Sequence, residues 1–288
     1  MKAVIDIGSN TTQLLLAESK NGKAKIVNQQ IRTTRLGAGI AQHLLTPQGI
    51  ANTVAALDEY RQLITAATVG QIRLIATAAV RDAVNRQELL DIVQERFGWT
   101  IEVLSGSEEA SLAYAGAVAA TGEKKLPVVD IGGGSTEIIM VKDACATTVS
   151  APLGAVRVMM AGWDEQKVMQ LVRENFAGIT FPAKAAIGVG GTITTAAGLL
   201  LGLAAYERST IEGKVLLPAQ IEKLVELLFN LSLEERCAYS PLLRQRGEII
   251  VEGLWILKAI FTNFEVEKII VTGGGIVDGV LAAMTEEV

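Results

Sequence analysis

Apolar runs recur along this chain, and most of them stop at a cluster of glycine and hydroxyl residues. Val- and Ile-rich runs predict strands over about 3–7, 12–19, 23–30, 71–76 and 100–104. A second set follows over about 127–131, 136–141, 144–150, 185–189 and 268–272. Asn21-Gly22 between two runs predicts a tight hairpin turn. Helical spacing appears between these runs. Thr46 and Pro47 open one helix, with Val54, Leu57, Leu63 and Ile64 on its apolar face. Another runs from Thr77–Arg81 to about Phe97, and a third starts at Ser107 as N-cap and continues to about Ala120. Further helices are predicted after Leu153–Arg157, over 164–176, after Thr192, over 218–230 and 245–261, and finally to about Met284. Three-stranded meanders followed by alternating helix and strand predict mixed sheets with helices packed on them.

The pattern occurs twice. Val128–Val141 reads as apolar strand, Asp130, Ile131, then Gly132-Gly133-Gly134, Ser135, Thr136, Glu137 and a second apolar strand. Ala3–Leu16 has the same grammar, with Asp6, Gly8, Ser9, Asn10 and Thr11 between its strands. The triplet Asp-Ile-Gly stands at both places, which predicts an internal duplication. Glycines let the backbone approach a ligand closely, and consecutive free N–H groups make an anion-binding concavity. Asp130 and Glu137 flank the turn with carboxylates suited to a hard cation such as Mg²⁺. Gly190-Gly191-Thr192 and Gly273–Gly275 add two more turns at predicted strand ends. Any one of these is an ordinary Gly-rich turn by itself; four together point to a phosphate site. Thr121–Lys125 is polar and charged and marks a boundary, which gives domains over 1–122 and 123–288, with the last helix free to pack back on the first.

Composition narrows the classes. Half of the 288 residues are hydrophobic, enough for two cores, and the net charge of −5 argues against binding driven by nucleic acid or an anionic membrane. The two cysteines, Cys145 and Cys237, have no zinc-site spacing, and the single histidine, His43, reads as a surface or half-buried residue ahead of a helix. Residues 185–206 carry no charge over a membrane-spanning length, but their glycines favour strand, loop and buried helix. The expectation is a soluble, cytoplasmic protein.

Two further positions carry chemistry. Arg81 follows a predicted strand and opens a helix, where it would clamp a phosphate or simply lie in solvent. Glu108 and Glu109 begin a helix. They read either as ordinary N-terminal acids or as a general base for water attacking phosphorus, and the residues alone leave that choice open.

These motifs together resemble the exopolyphosphatase / guanosine pentaphosphate phosphohydrolase family. The matching stretches are Asp6–Thr11, Arg35-Leu36-Gly37-Ala38-Gly39, Thr77–Arg81, Ser105–Ala110, Asp130–Glu137, Gly190–Thr192 and Gly273–Gly279, in family order over nearly the whole chain. The resemblance implies two RNase H-like domains of the sugar kinase / heat-shock ATPase / actin superfold, with a cleft between them. It implies that Glu109 is the catalytic base and that Asp130, Glu137 and Asp6 hold Mg²⁺ or another divalent cation. It implies a phosphate cradle of Gly8, Ser9, Asn10, Thr11, Arg35, Arg81, Gly132, Gly133, Gly134, Ser135, Thr136, Gly190, Gly191 and Thr192.

The implied reaction removes the terminal phosphoryl group of inorganic polyphosphate, with the 5′ phosphate of guanosine pentaphosphate as the alternative substrate. Nucleic acid and membrane are not expected partners, and a homodimer is left open. An actin-like or sugar-kinase-like ATP-binding protein and a non-catalytic sensor of phosphate polymers are the rival classes. Two positions depart from the family pattern. Thr194 stands where some members have lysine, and Val277 where many have arginine, and both remove positive charge from the expected channel.

Overall fold

The computed structural model describes residues 1–20, 23–142, 145–181 and 183–286. The predicted Asn21-Gly22 turn lies outside the described residues. The chain divides into two compact units, 1–116 with 276–288, and 117–275. The division falls before the polar stretch at 121–125, inside a helix, and the C-terminal helix belongs to the first unit.

The first unit begins with β1 (Lys2–Ile7), β2 (Thr11–Lys20) and β3 (Lys23–Thr33), an antiparallel meander. A 3₁₀ segment (Leu36–Gln42) leads to α1 (Pro47–Ala66) and β4 (Gln71–Ala76). Then come α2 (Ala78–Arg81), α3 (Arg86–Phe97), β5 (Ile101–Val103) and α4 (Gly106–Thr121). The sheet order is β3-β2-β1-β4-β5, with β1, β4 and β5 parallel. Thr46 caps α1 as its sequence predicts, with its hydroxyl accepting from Gly49 N at 3.1 Å.

Where one helix was expected over 77–97, the chain makes two. Asn85 bonds both the N–H and the carbonyl of Leu45, and Val84 N donates to His43 O, so residues 82–85 are held to another loop instead of continuing the helix. His43 itself is exposed and closes the 3₁₀ segment.

The second unit repeats the plan. β6 (Val128–Ile131), β7 (Thr136–Lys142) and β8 (Cys145–Ala151) form the meander. There follow α5 (Ala155–Ala161), α6 (Glu165–Asn175), β9 (Ala185–Val189), α7 (Gly191–Leu200), α8 (Arg208–Ile211) and β10 (Val215–Leu216). α9 (Pro218–Phe229), α10 (Leu233–Tyr239), a 3₁₀ turn (Pro241–Arg244), α11 (Ile250–Asn263) and β11 (Lys268–Val271) complete it. The sheet order β8-β7-β6-β9-β11 matches that of the first unit, with β10 added at the far edge. Sequence periodicity missed α10, although Ser232 and Glu235 form a capping box at its start. Residues 185–206 form β9 and α7 as expected, and among the described residues no helix is long and apolar enough to cross a membrane.

α12 (Ile276–Glu286) returns to the first unit. Its Val277, Val280, Leu281 and Met284 pack against Val4, Leu15 and Ile75 on one face of the first sheet, while Tyr60, Leu57, Leu89 and Val93 cover the other. A Cβ on Gly279 would meet the carbonyl of Leu112, so glycine lets α12 cross α4 backbone to backbone. Val277 is therefore a core residue.

In each unit the candidate residues follow the carboxyl ends of the parallel strands. Open α/β sheets gather ligands at these ends.

Candidate active site

The two Asp-Ile-Gly turns are built alike. In the first unit Gly8 N donates to Thr11 O at 3.0 Å, and in the second Gly132 N donates to Ser135 O at 3.0 Å. Each turn then has its carbonyls taken by a later loop. Thr34 N and Arg35 N donate to Asn10 O, and Gly37 N donates to Ser9 O at 2.7 Å. Ala155 N donates to Gly132 O, Val156 N and Arg157 N donate to Gly133 O, and Arg157 Nε donates to Gly134 O at 2.9 Å. With the carbonyls turned to these loops, the N–H groups of Ser9 and Asn10, and of Gly133, Gly134 and Ser135, donate to nothing among the described residues. Such N–H rows suit phosphate oxygens.

The supporting loops need glycine. A Cβ on Gly37 would lie 2.9 Å from Ser9 Cβ, and one on Gly154 would lie 2.5 Å from Ser135 N and closer still to Gly133. Sequence reasoning did not find Gly154 or Arg157 as site residues. The signal was present, because Leu-Gly-Ala stands at 36–38 and again at 153–155, a second repeated triplet.

The side chains of the turns divide in role. Ser9 and Ser135 are buried, with hydroxyls that find no partner among the described residues, and Asn10 Nδ2 is buried without a partner. Thr136 is fully buried and donates its hydroxyl to Leu153 O, so its side chain ties the turn to the α5 segment. Thr11 opens β2 opposite Thr33. Arg35 is exposed, with a left-handed backbone at φ 52°.

Strand register separates the two acidic positions. Asp130 faces Glu137 across β6 and β7, whereas Asp6 faces Gln13 across β1 and β2. Two carboxylates directly opposite repel each other unless a cation lies between them. Glu137 is only 3 % exposed and accepts from Ser150 Oγ at 2.7 Å. Among the described residues no group of three or more His, Cys, Asp or Glu forms a ligand set. Mg²⁺ is commonly held by one or two carboxylates plus substrate phosphates, so the Asp130–Glu137 pair fits it. The first unit, with an amide opposite Asp6, offers a single carboxylate.

Gly190 and Gly191 open α7. Gly190 takes φ 89°, and a Cβ there would lie 2.6 Å from Asp130 Oδ1. Thr192 is buried against Gly253 of α11. Thr194 donates its hydroxyl to Gly190 O at 3.1 Å, bracing the same turn. The guanidinium of Arg246 lies against the Cα of Gly191, in the space a Cβ would fill. Burial pushes this guanidinium down to about 10, which leaves it charged near neutral pH. Arg246 was read as part of a helix over 245–261. The helix instead starts at Ile250, and the preceding turn aims Arg246 at the α7 N-terminus. Gly273 and Gly274 differ from the other turns. Their N–H groups already donate to Glu212 Oε2 and Thr272 Oγ1.

In the first unit the two glutamates separate. Ser105 caps α4, rather than the expected Ser107: Glu108 N donates to Ser105 Oγ, and Ser105 N donates back to Glu108 Oε2 at 2.9 Å. The Ser105 hydroxyl and N–H hold the Glu108 carboxyl below its ordinary value. Glu109 points elsewhere. Its side chain is 14 % exposed, and Oε2 accepts from Arg81 Nη1 at 2.7 Å. Burial pushes its carboxyl above the ordinary value, against the opposing pull of Arg81. Arg81 closes the four-residue α2 and does not open a helix, so no helix N-terminus adds to its charge.

The mixed-sheet α/β architecture is that of the actin, sugar-kinase and heat-shock ATPase superfamily. Residues 15–288 match the model of the Ppx/GppA phosphatase family, and the chain belongs to that family. Exopolyphosphatase 2 of Mycobacterium tuberculosis is 30% identical over 98% of both chains. The crystal structure of the Aquifex aeolicus family member aligns with a TM-score of 0.81 at 30% identity, covering 99% of this chain and 97% of that one. An exopolyphosphatase from Cytophaga hutchinsonii shares the fold with a TM-score of 0.89 at 22% identity, covering 100% of this chain and 98% of that one.

Proposed function

We propose that this chain is a Mg²⁺-dependent phosphohydrolase that removes terminal phosphoryl groups from inorganic polyphosphate. The carrying observation is the separation of Glu109 from Glu108. One glutamate is spent on a helix cap, while its neighbour is half-buried, basic for a carboxylate, and held by an arginine. A general base needs a raised pKa and a fixed position.

Each unit carries its own row of free N–H groups. The N–H rows at 9–10 and 133–135, with the α7 N-terminus and Arg246, bind phosphoryl oxygens. Arg81 leaves Glu109 for a phosphate oxygen when substrate enters, and Glu109 then accepts the proton of the attacking water. Asp130 and Glu137 would hold Mg²⁺, which would neutralise phosphoryl charge when bound, and Asp6 is the first unit's candidate ligand. The name of the mycobacterial relative supports polyphosphate as the substrate over guanosine pentaphosphate.

The test is phosphate release from a polyphosphate ladder and from guanosine pentaphosphate, with and without Mg²⁺. Higher kcat/KM on polyphosphate supports the assignment. Higher kcat/KM on guanosine pentaphosphate would reassign the substrate, and release from neither would leave a binding protein.

A further inference from the structure

Arg81 stands between two carboxylates of the first unit. Its Nη1 lies 2.7 Å from Glu109 Oε2, and its Nε lies 3.6 Å from Oδ1 of Asp82, the next residue in the chain. The first contact is a charge-assisted hydrogen bond. The second is too long for a hydrogen bond and is a contact between charges. The planar guanidinium is thus held along two different edges.

The backbone keeps Asp82 in that place. It is the C-cap of α2, and its N–H donates to Ala78 O at 3.0 Å. Just beyond it, Val84 N donates to His43 O and Asn85 is bonded to Leu45. Arg86 Nη1 donates to Arg81 O at 3.2 Å, on the same stretch. The Asp82 side chain is 33 % exposed, against 24 % for Arg81 and 14 % for Glu109. Its charge contact is therefore the weaker of the two, able to share the arginine without capturing it.

A tight Arg81–Glu109 pair would serve neither partner. An arginine locked on Glu109 does not reach a phosphoryl oxygen, and a carboxylate locked on an arginine is a poor base. Asp82 loosens the pair from the other edge. Burial pushes the Glu109 carboxyl up, Arg81 pulls it down, and the negative charge of Asp82 pushes it up again. Glu108, the adjacent acid on α4, is turned to Ser105. We infer that Asp82 is a positioning residue: it shares Arg81 with Glu109 and holds the Nε edge while Nη1 turns to a phosphoryl oxygen. The inference rests on Glu109 as the base and on Arg81 meeting the substrate.

The test uses the full chain with Asp82→Asn and Asp82→Glu, alone and combined with Arg81→Gln. NMR of isotope-labelled glutamate carboxyl groups follows the titration of Glu109 without any need for turnover, its signal identified by its loss in Glu109→Gln. In Asp82→Asn the arginine belongs wholly to Glu109, so the Glu109 midpoint should move to lower pH, and Asp82→Glu should restore it. With polyphosphate as substrate, KM should rise about two- to fivefold with a smaller change in kcat. The acid limb of kcat/KM should follow the midpoint down. In the Arg81→Gln background the effect on KM should vanish. A Glu109 midpoint that stays or rises in Asp82→Asn overturns the inference, and so does an effect on KM that persists undiminished without Arg81. A midpoint that falls while the acid limb stays in place would instead sink Glu109 as the base and leave the shared arginine standing.

Discussion

Arg81 Nη1 lies 2.7 Å from Glu109 Oε2, and the same nitrogen donates to Leu104 O at 3.1 Å. The arginine thus ties the end of α2 to the start of α4 and opposes the effect of burial on Glu109. Removing it leaves burial unopposed. The base works only when ionised, so a higher pKa moves the acid limb of the rate profile to higher pH. Arg81→Gln is expected to shift that limb in kcat/KM to higher pH, on top of any loss of phosphate affinity. A pH–rate profile reads it. A limb that stays in place or moves down would separate Arg81 from the protonation of Glu109.

Gly154 supports the turn at 132–135 from behind. Gly154→Ala places a methyl group within the backbone of Gly133 and Ser135. Overpacking of this kind costs about 1–3 kcal/mol, and here it also displaces the free N–H groups. Urea unfolding should show the stability loss, and phosphate release should fall at least about tenfold, since a small misplacement of binding groups is costly. A variant matching the parent in both assays would remove the loop from the account.

The Asp130–Glu137 pair gives a readout that does not depend on turnover. If Mg²⁺ relieves their repulsion, it should raise the thermal midpoint of the protein, because it binds only the folded state. Asp130→Asn and Glu137→Gln should each reduce that Mg²⁺-dependent shift. The Gln13→Glu variant tests the counterpart in the first unit, where it restores a facing carboxylate and is expected to be less stable in the absence of divalent cation. Thermal scans with Mg²⁺ and with chelator check all three.

Arg246 is expected to act in binding. Arg246→Ala should raise KM at least about tenfold with a smaller change in kcat, as loss of uniform binding does. A fall in kcat with KM unchanged would instead place its contact in the transition state alone.

The parts of this molecule that were legible are those written in short-range pattern. The meanders follow from alternating Val- and Ile-rich runs, and the two Asp-Ile-Gly turns follow from a repeated triplet at strand ends. The same sheet order in both units bears out the duplication. What was not legible depends on contacts between distant segments. Asn85 breaks a predicted helix because it bonds to Leu45, forty residues earlier in the chain. Arg246 sits in a stretch that reads as helix, and only the turn before α11 aims it at Gly191. Val277 reads as part of a glycine-rich loop but lies in the core of the first unit. Glu109 and Glu108 are adjacent and chemically identical, so only the Ser105 cap and the Arg81 contact tell them apart.

Glu109 is the proposed base. Glu109→Gln keeps the shape and one acceptor while removing the charge. Measured by phosphate release from polyphosphate, its kcat should fall about 10²–10⁴-fold, with polyphosphate binding and the Mg²⁺-dependent thermal shift retained. Turnover within about tenfold of the parent would contradict the account.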